Sequence, residues 1–319
     1  MSKQLGMNID SLWLRLKHPL SRKNWVGIIA LSVALCLLIF RWLGVMQPLE
    51  WAAFDSFFRL LPSEPTDERV VIVAIDEADL WQEGKWPLPD QLLAQLLQKL
   101  HTYQPRAIGL DIYRDLPVPP GTKELRIAFE SNPNLIGIEQ LEDQSSSGVL
   151  PPPTLSRLKQ VGFNNVVLDA DGKVRRGMLY WSTPQKVHES FDLKLALIYL
   201  QAEGITPKAS NNPEYLQLGK SVFRRFEAND GGYVRSDAGG YQILSNFHRP
   251  TTSFRRVSIT DVLADRVPAE DMRDRIVLIG STAPSLKDVF YTPDSGRLLL
   301  GVAQPLSGVE LHANFISQI

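Results

Sequence analysis

The chain has 319 residues, of which 44% are apolar and 22% are charged, a composition typical of a folded protein and not of a disordered or fibrous one. With 34 basic against 35 acidic side chains, the net charge of -1 gives no basic excess, so the sequence predicts no nucleic-acid partner. The single cysteine, Cys36, excludes an intrachain disulfide and a cysteine-based zinc site.

An apolar segment near the N-terminus is long enough to cross a membrane. Trp25 to Phe40 contains no charged residue, and after Arg41 the apolar character continues to Met46. As a helix, residues 25–46 would span roughly 33 Å, at ~1.5 Å per residue, against a hydrocarbon core of about 30 Å. Five basic residues precede this segment against one acid, Asp10, so the positive-inside rule keeps residues 1–24 in the cytoplasm and places residues 47–319 outside it.

Two other interpretations of the apolar segment are less consistent with the sequence. A cleaved signal peptide would be shorter and would be followed by a small-x-small cleavage site, which is not evident here. A buried helix of a soluble protein is usually shorter as well. A lipoprotein is excluded because a large residue, Leu35, precedes Cys36. The sequence therefore predicts an uncleaved membrane anchor.

Directly after the anchor, apolar residues from Leu49 to Leu61 recur at helical spacing, with Glu50, Asp55 and Arg59 between them. This pattern predicts a short amphipathic helix that is stopped by Pro62. Such a helix either lies on the bilayer or packs on the domain.

Between residues 70 and 140 the chain alternates between predicted strands and helices. Val70 to Ile75 is a continuous apolar run, typical of a strand buried on both faces, and leucines from Leu92 to Leu100 follow at helical spacing. Ala107 to Ile112 predicts the second strand and Asn134 to Ile138 the third, with a helix beginning at Thr122 between them. This order predicts an α/β fold with a mainly parallel sheet flanked by helices.

The second half of the chain changes character after Pro151. Val161 to Leu168 and Val174 to Trp181 flank an Asp-Ala-Asp-Gly turn, which predicts a hairpin in a mixed or antiparallel portion. Further helices are predicted from Ser190, over Ser258 to Ala264, and over Val309 to Ile319, whose apolar end suggests that more protein follows. The remaining predicted strands are Glu214 to Arg225, Tyr233 to Arg235, Tyr241 to Phe247 and Ile276 to Ile279.

Known catalytic motifs do not explain this sequence. Gly219-Lys220-Ser221 resembles the end of a phosphate-binding loop, but Glu214 stands where that loop needs its first glycine. The nucleotide-binding, zinc-protease, serine-hydrolase and kinase signatures do not occur. The five histidines are scattered without metal-ligand spacing: His18, His101, His188, His248 and His312. The sequence therefore predicts no catalytic residue, metal or cofactor.

Polar residues follow three predicted buried strands, at the edge of the sheet where ligands of α/β proteins gather. They are Asp76 and Glu77 after the first strand, Asp111 near the end of the second, and Ser281, Thr282 and Asp288 after the last. Together they predict an acidic, hydroxyl-bearing mouth that suits a cation or a polar ligand. The alternative is that each acid caps a turn or helix, or pairs with a base such as Arg114 or Lys287.

A second candidate site is Arg175 and Arg176, which follow the Asp-Gly turn. These side chains could hold a carboxylate or phosphate, and the alternative is an exposed hairpin arm with solvated charge. Trp86-Pro87 is a third candidate, for stacking on a ligand or for fixing the start of the leucine-rich helix.

Eight short motifs occur in a characteristic order along the chain. They are Phe54-Asp55, V-I-V-A-I-D at residues 71–76, Lys85-Trp86-Pro87, A-I-G-L-D at residues 107–111, D-G-K-V-R-R at residues 171–176, I-V-L-I-G at residues 276–280, D-V-F-Y-T-P at residues 288–293 and G-V-E-L-H-A-N at residues 308–314. The set resembles the type-2 CHASE domain, named for cyclase and histidine-kinase associated sensory extracellular domains, over about residues 50–319.

The resemblance implies a bacterial extracytoplasmic sensor in the inner membrane. In that family the domain follows one transmembrane helix and is usually succeeded by further transmembrane helices and a cytoplasmic histidine kinase or nucleotide cyclase, none of which occurs in these 319 residues. We therefore expect a receptor that binds an unknown small-molecule or environmental cue and acts as a homodimer. The alternatives are an anchored hydrolase that uses Asp76, Asp111 and Asp288 around a metal, and a structural partner at the membrane surface.

Overall fold

The computed structural model describes residues 22–62, 64–143, 146–209, 212, 214–247, 254–295 and 304–319. Most of the predicted cytoplasmic segment 1–24, with His18, and also His248 lie outside these residues. The helices, in chain order, are α1 (Arg22–Trp42), α2 (Gln47–Leu60), α3 (Glu77–Glu83), α4 (Asp90–Tyr103), α5 (Thr122–Ser131), α6 (Pro153–Arg157), α7 (Phe191–Ala202), α8 (Ile259–Leu263) and α9 (Gly308–Gln318).

Fifteen strands are named in the described part of the chain. They are β1 (Val70–Ile75), β2 (Ala107–Asp111), β3 (Leu135–Glu139), β4 (Val161–Phe163), β5 (Val167–Leu168), β6 (Val174–Ser182), β7 (Val187–Glu189), β8 (Pro207–Ala209), β9 (Tyr215–Leu218), β10 (Ser221–Arg224), β11 (Tyr241–Leu244), β12 (Arg255–Ser258), β13 (Ile276–Ser281), β14 (Val289–Phe290) and β15 (Leu306–Ser307).

Helix α1 contains the apolar segment that the sequence assigns to the membrane. From Trp25 to Trp42 its mean hydropathy is 2.1 and none of it is buried, so it is long and apolar enough to span a bilayer. The helix ends before Met46, because Gly44 turns the chain with a φ of 80°. Helix α2 then begins at Gln47, and it packs on the domain through Trp51, Asp55 and Phe58.

A six-stranded parallel sheet forms the centre of the fold, in the order β12-β1-β13-β2-β3-β4. All six residues of β1 are buried, because this strand has neighbours on both sides and helices on both faces. The parallel arrangement brings the carboxyl ends of β2, β3, β4 and β13 to the same edge. The predicted mainly parallel sheet is thus confirmed.

Each face of the sheet is covered by its own layer of helices. On one face, Leu93, Leu97 and Leu100 of α4 pack with residues of α5 and α8. On the other face, α7 and α9 lie side by side, and their core side chains are Phe191, Leu195, Val309, Ala313 and Ile316. Helix α7 approaches so closely that a Cβ on Gly162 of β4 would lie 2.5 Å from the Phe191 backbone.

The antiparallel portion that the sequence predicted is built around β6. This strand pairs with β5, β7 and β11, and the turn between β5 and β6 contains Gly172 with a φ of 78°. A separate sheet has the order β10-β9-β8, and Gly219 and Lys220 form the turn between β9 and β10 rather than a phosphate-binding loop. The prediction of a strand over Tyr233 to Arg235 is wrong: Val234 and Arg235 form a bend, and the Tyr233 ring packs against Trp51 and Phe226.

Strand β12 forms one edge of the central sheet, and the sequence did not predict it. Its side chains include Arg255 and Arg256, which form ion pairs with Asp271 and with Glu310 of α9. These charges break the apolar pattern by which the other parallel strands were predicted.

Candidate functional site

A cavity of about 800 Å³ lies at the carboxyl ends of β2, β3, β4 and β13, beside the first turns of α9. Its wall is polar and aromatic in part. The lining includes Trp86, Asp111, Tyr113, Arg114, Gln140, Asp143, Asn164, Asn165, Leu168, Ser281, Ser285, Asp288, Phe290, Gly308 and His312. The size is that of a site for a small ligand.

A buried ion pair between a histidine and an aspartate lies at the inner wall of the cavity. Nδ1 of His312 on α9 lies 2.8 Å from Oδ1 of Asp192 on α7, and the side chains of both are less than a tenth exposed. Burial favours neutral histidine, but the carboxylates of Asp192, Asp111 and Asp288 outweigh it and raise the pKa of His312 to about 9. The side chain is therefore an imidazolium at neutral pH, and it donates to Asp192.

Two further carboxyls act on this imidazolium, Asp111 at the end of β2 and Asp288 directly before β14. Oδ1 of Asp111, at the end of β2, lies 3.9 Å from Nε2 of His312, and burial raises the pKa of Asp111 to about 6. Burial of the carboxyl by surrounding protein atoms also raises the pKa of Asp288. The residue as a whole is still exposed to solvent, and it lines the cavity. A Cβ on Gly308 would lie 2.3 Å from Oδ2 of Asp288, so only glycine allows this carboxylate to approach the start of α9.

The remaining polar groups hold the wall of the cavity in place. The Tyr113 hydroxyl donates to Oδ1 of Asn164 at 3.0 Å, and burial raises the pKa of Tyr113 to about 12, so the hydroxyl stays protonated. The Arg114 guanidinium donates to the carbonyl oxygens of Leu88 and Tyr113 at 2.7 and 2.9 Å. The lining therefore presents carboxylates, amides and aromatic rings toward the cavity.

The structure brings together three of the residues predicted at the mouth and separates the other three from it. Asp111, Ser281 and Asp288 all line the cavity. Asp76 instead caps α3, where it accepts from the Asp79 amide at 3.0 Å. Glu77 accepts from the Ser285 amide at 2.7 Å.

Thr282 is outside the lining as well, and its amide donates to the Ile75 carbonyl oxygen at 3.0 Å. Asp76 therefore lies apart from Asp111 and Asp288, whereas the alternative of a metal-dependent hydrolase requires all three around one metal. Among the described residues, no group of three or more His, Cys, Asp or Glu side chains is arranged to hold a metal ion.

Arg175 and Arg176 lie in a buried ion-pair cluster, and we name it the α2–β6 cluster. Its members are Asp55, Asp169, Asp171, Lys173, Arg175, Arg176 and Tyr233. The Arg175 side chain is 1% exposed, so the alternative of an exposed hairpin arm is wrong for this residue. Its guanidinium donates to Asp55 at 2.8 and 2.9 Å and to Asp169 at 2.9 Å, which leaves it no access to an external anion.

Sequence reasoning missed His312, Asp192 and Asn164. His312 and Asp192 stand 120 positions apart, so no local spacing connects them. A signal was present in the G-V-E-L-H-A-N motif, where an acid, a histidine and an amide occur close together in a largely apolar helix.

Comparison with known proteins identifies the family. The chain is an α/β domain that follows one exposed apolar helix and has a polar cavity at its parallel strand ends, where ligands of α/β proteins bind. A family model for the CHASE2 domain matches residues 32–319, and the chain belongs to this family of sensory domains of the extracellular type. The searches of curated proteins and of solved structures found no match.

Proposed function

We propose that this protein is the extracytoplasmic sensory part of a bacterial transmembrane receptor. Helix α1 crosses the inner membrane with its N-terminus in the cytoplasm, and residues 47–319 lie outside. A small polar cue binds in the cavity, and the change passes to a cytoplasmic kinase or cyclase. The basic residues before α1 and the family membership support this arrangement.

The observation that carries the proposal is a direct connection between the cavity and α2, the helix that follows α1. Asp288 and Phe290 line the cavity, and the same segment continues to Pro293, whose carbonyl oxygen accepts from Arg59 of α2 at 2.9 Å. A ligand that moves this segment therefore acts on the helix next to the membrane.

Two other connections run in parallel. Leu168 lines the cavity, and the next residue, Asp169, binds Arg175, which also binds Asp55 of α2. Helix α9 carries His312 into the cavity, and three residues later its Phe315 belongs to the apolar cluster that contains Phe58 of α2. Packed elements of this kind transmit a shift only when the ligand binds one arrangement better than the other.

We expect the receptor to act as a homodimer. In it the α1 helices of the two copies move relative to each other, and this motion carries the signal. This part of the proposal predicts a dimer of the full chain in membranes. Chemical crosslinking in native membranes tests it, and a chain that remains monomeric at every expression level contradicts it.

Ligand binding is tested with the full chain in lipid nanodiscs. The probes are a panel of free amino acids, amines and monosaccharides, and the readout is the thermal unfolding midpoint. A ligand at about 100 times its Kd stabilises by roughly 2.7 kcal/mol, which raises the midpoint by about 5 °C or more for a domain of this size. The shift should disappear in Asp111→Asn and persist in Leu150→Ser, which changes an exposed apolar residue.

Either of two results contradicts the assignment of the cavity. One is that no member of the panel shifts the midpoint, and the other is that the shift survives Asp111→Asn. Orientation is tested separately by alkaline phosphatase joined after Ile319, because this reporter is active only outside the cytoplasm. Active phosphatase is expected, and inactive enzyme with intact fusion protein overturns the proposed orientation.

A further inference from the structure

Helix α2 turns its charged side chains toward the protein. Glu50 forms an ion pair with Arg41, Asp55 lies in the α2–β6 cluster, and Arg59 donates to the Pro293 carbonyl oxygen. A surface helix in water normally shows the opposite arrangement, with its apolar stripe toward the core and its charges toward solvent.

The opposite side of α2 is apolar and uncovered, and we name it the outer face. It consists of Leu49, Ala53, Phe57 and Leu60, whose spacing of four, four and three residues places them on one side of the helix. Leu49, Phe57 and Leu60 are 67%, 70% and 79% exposed. The helix positions exposed to solvent carry no charge: Pro48, Leu49, Ala52, Ala53, Phe54, Ser56, Phe57 and Leu60.

The outer face continues the apolar surface of α1. Helix α1 ends at Trp42 and α2 begins at Gln47, so the two ends are at most roughly 17 Å apart, at ~3.4 Å per residue. Leu43 and Val45, in the connection, are exposed apolar residues too. A helix attached this closely to a membrane span starts in the interfacial layer of the bilayer.

The side chains around the connection are those found at a lipid headgroup layer. Trp42 is 70% exposed, and the Arg235 guanidinium lies 5.6 Å from the centre of its ring. Arg235 is exposed and forms no ion pair with a described carboxylate, so its charge is accessible to lipid phosphate. Tryptophan and arginine are both favoured at membrane interfaces.

We propose that α2 lies at the extracytoplasmic surface of the inner membrane, in the layer between lipid and water, with its outer face against phospholipid. The inference rests on the proposed membrane anchoring by α1. It gives α2 two partners at once, because its charged side is bound to the domain and its apolar side to lipid. The lipid contact thereby fixes the tilt of the sensory body on the membrane.

The experiment places an environment-sensitive fluorophore at single cysteines of the full chain in phosphatidylcholine vesicles. Phe57→Cys, made with Cys36→Ser, reports on the outer face, and Leu60→Cys repeats the measurement one turn away. Trp81→Cys is the control, because Trp81 is an 83% exposed apolar residue on another helix. A label on the native Cys36 reports on α1 itself.

The quenchers are aqueous iodide and lipids that carry a nitroxide near the headgroup or near the acyl-chain end. The label at position 57 should be quenched by the headgroup nitroxide at least about twice as strongly as the label at position 81, and it should resist iodide. Quenching by iodide equal to that at position 81 overturns the proposal. Protection from both iodide and nitroxide also overturns it, because a second copy of the chain then covers the outer face.

The label at Cys36 separates the two proposals. If the acyl-chain nitroxide quenches Cys36 but neither nitroxide quenches position 57, α1 spans the membrane and only the interfacial position of α2 is wrong. If neither nitroxide quenches Cys36, the membrane anchoring itself is wrong.

Discussion

Removal of the Asp55 charge should loosen α2 from the domain. The Asp55 carboxylate is 3% exposed, and it accepts from Arg175 at 2.8 and 2.9 Å and from Lys173 at 2.5 Å. Loss of one member of a buried ion pair costs roughly 3–5 kcal/mol, and the lower end applies because Arg175 keeps Asp169 and Asp171. Asp55→Asn should therefore lower the free energy of unfolding by about 3 kcal/mol, or the unfolding midpoint by about 6–12 °C.

The matched control is Asp171→Asn, which makes the same chemical change on the same arginine. The Asp171 side chain is 36% exposed, so its pair with Arg175 is screened by water and should contribute less than about 1 kcal/mol. Thermal unfolding of the detergent-solubilised chain, followed by circular dichroism, measures both variants. Equal losses for the two variants would refute the reasoning from burial.

The pH dependence gives a second test of the same prediction. Burial alone would raise the pKa of Asp55, but the hydrogen bonds from Arg175 and Lys173 outweigh it and leave the pKa below its ordinary value of 3.8. The stabilisation is therefore present above pH 3.8 and is lost as the pH falls through the lower folded-state value. The difference between wild type and Asp55→Asn should shrink in acid, and a difference that stays constant would contradict the proposed role.

Three other outcomes follow from the cavity and the sheet. The folded state raises the pKa of His312 from 6.5 to about 9, so the stabilisation from this side chain is full below pH 6.5 and falls as the pH rises through 9. Denaturant unfolding should show this fall in wild type and not in His312→Gln. An NMR titration of the ring should have its midpoint near 9. Burial raises the pKa of Asp111 from 3.8 to about 6, so wild type should lose stability as the pH rises through this interval. The loss should be smaller in Asp111→Asn, and an equal slope in the two proteins would contradict the burial of this carboxyl. Gly162→Ala should lower the free energy of unfolding by about 1–3 kcal/mol in chemical unfolding, because the new Cβ would lie 2.5 Å from the Phe191 backbone. In the control, Gly172→Ala, the new Cβ has open space, so only the φ of 78° should cost about 1 kcal/mol.

Strands β1, β2, β3 and β13 of the central sheet could be predicted from the sequence because they follow local rules. Val70 to Ile75 and Ile276 to Ile279 are continuous apolar runs, and such runs are found where a strand has helices on both faces. The leucines of α4 gave the helical stripe directly. Once the strands were placed, the rule for parallel sheets also placed Asp111, Ser281 and Asp288 at one edge.

The parts that could not be predicted depend on contacts between distant residues. Asp192 and His312 meet only because α7 and α9 pack side by side, which no local pattern encodes. Arg175 looked like an exposed or ligand-binding charge, and its burial requires Asp55 from a helix 120 positions earlier. Asp76 behaved as the cap that its residue type favours, so here the local rule described the structure better than the site hypothesis did.

The edge strand β12 has a consequence for how two copies of the chain can meet. An open, apolar edge strand would invite a strand from a neighbouring molecule, because its outer amide and carbonyl groups have no partner. Strand β12 has only four residues, and its Arg255 and Arg256 are held by Asp271 and Glu310. Charged side chains on a short edge strand disfavour strand addition, so two copies of the chain are not expected to join into one continuous sheet at this edge.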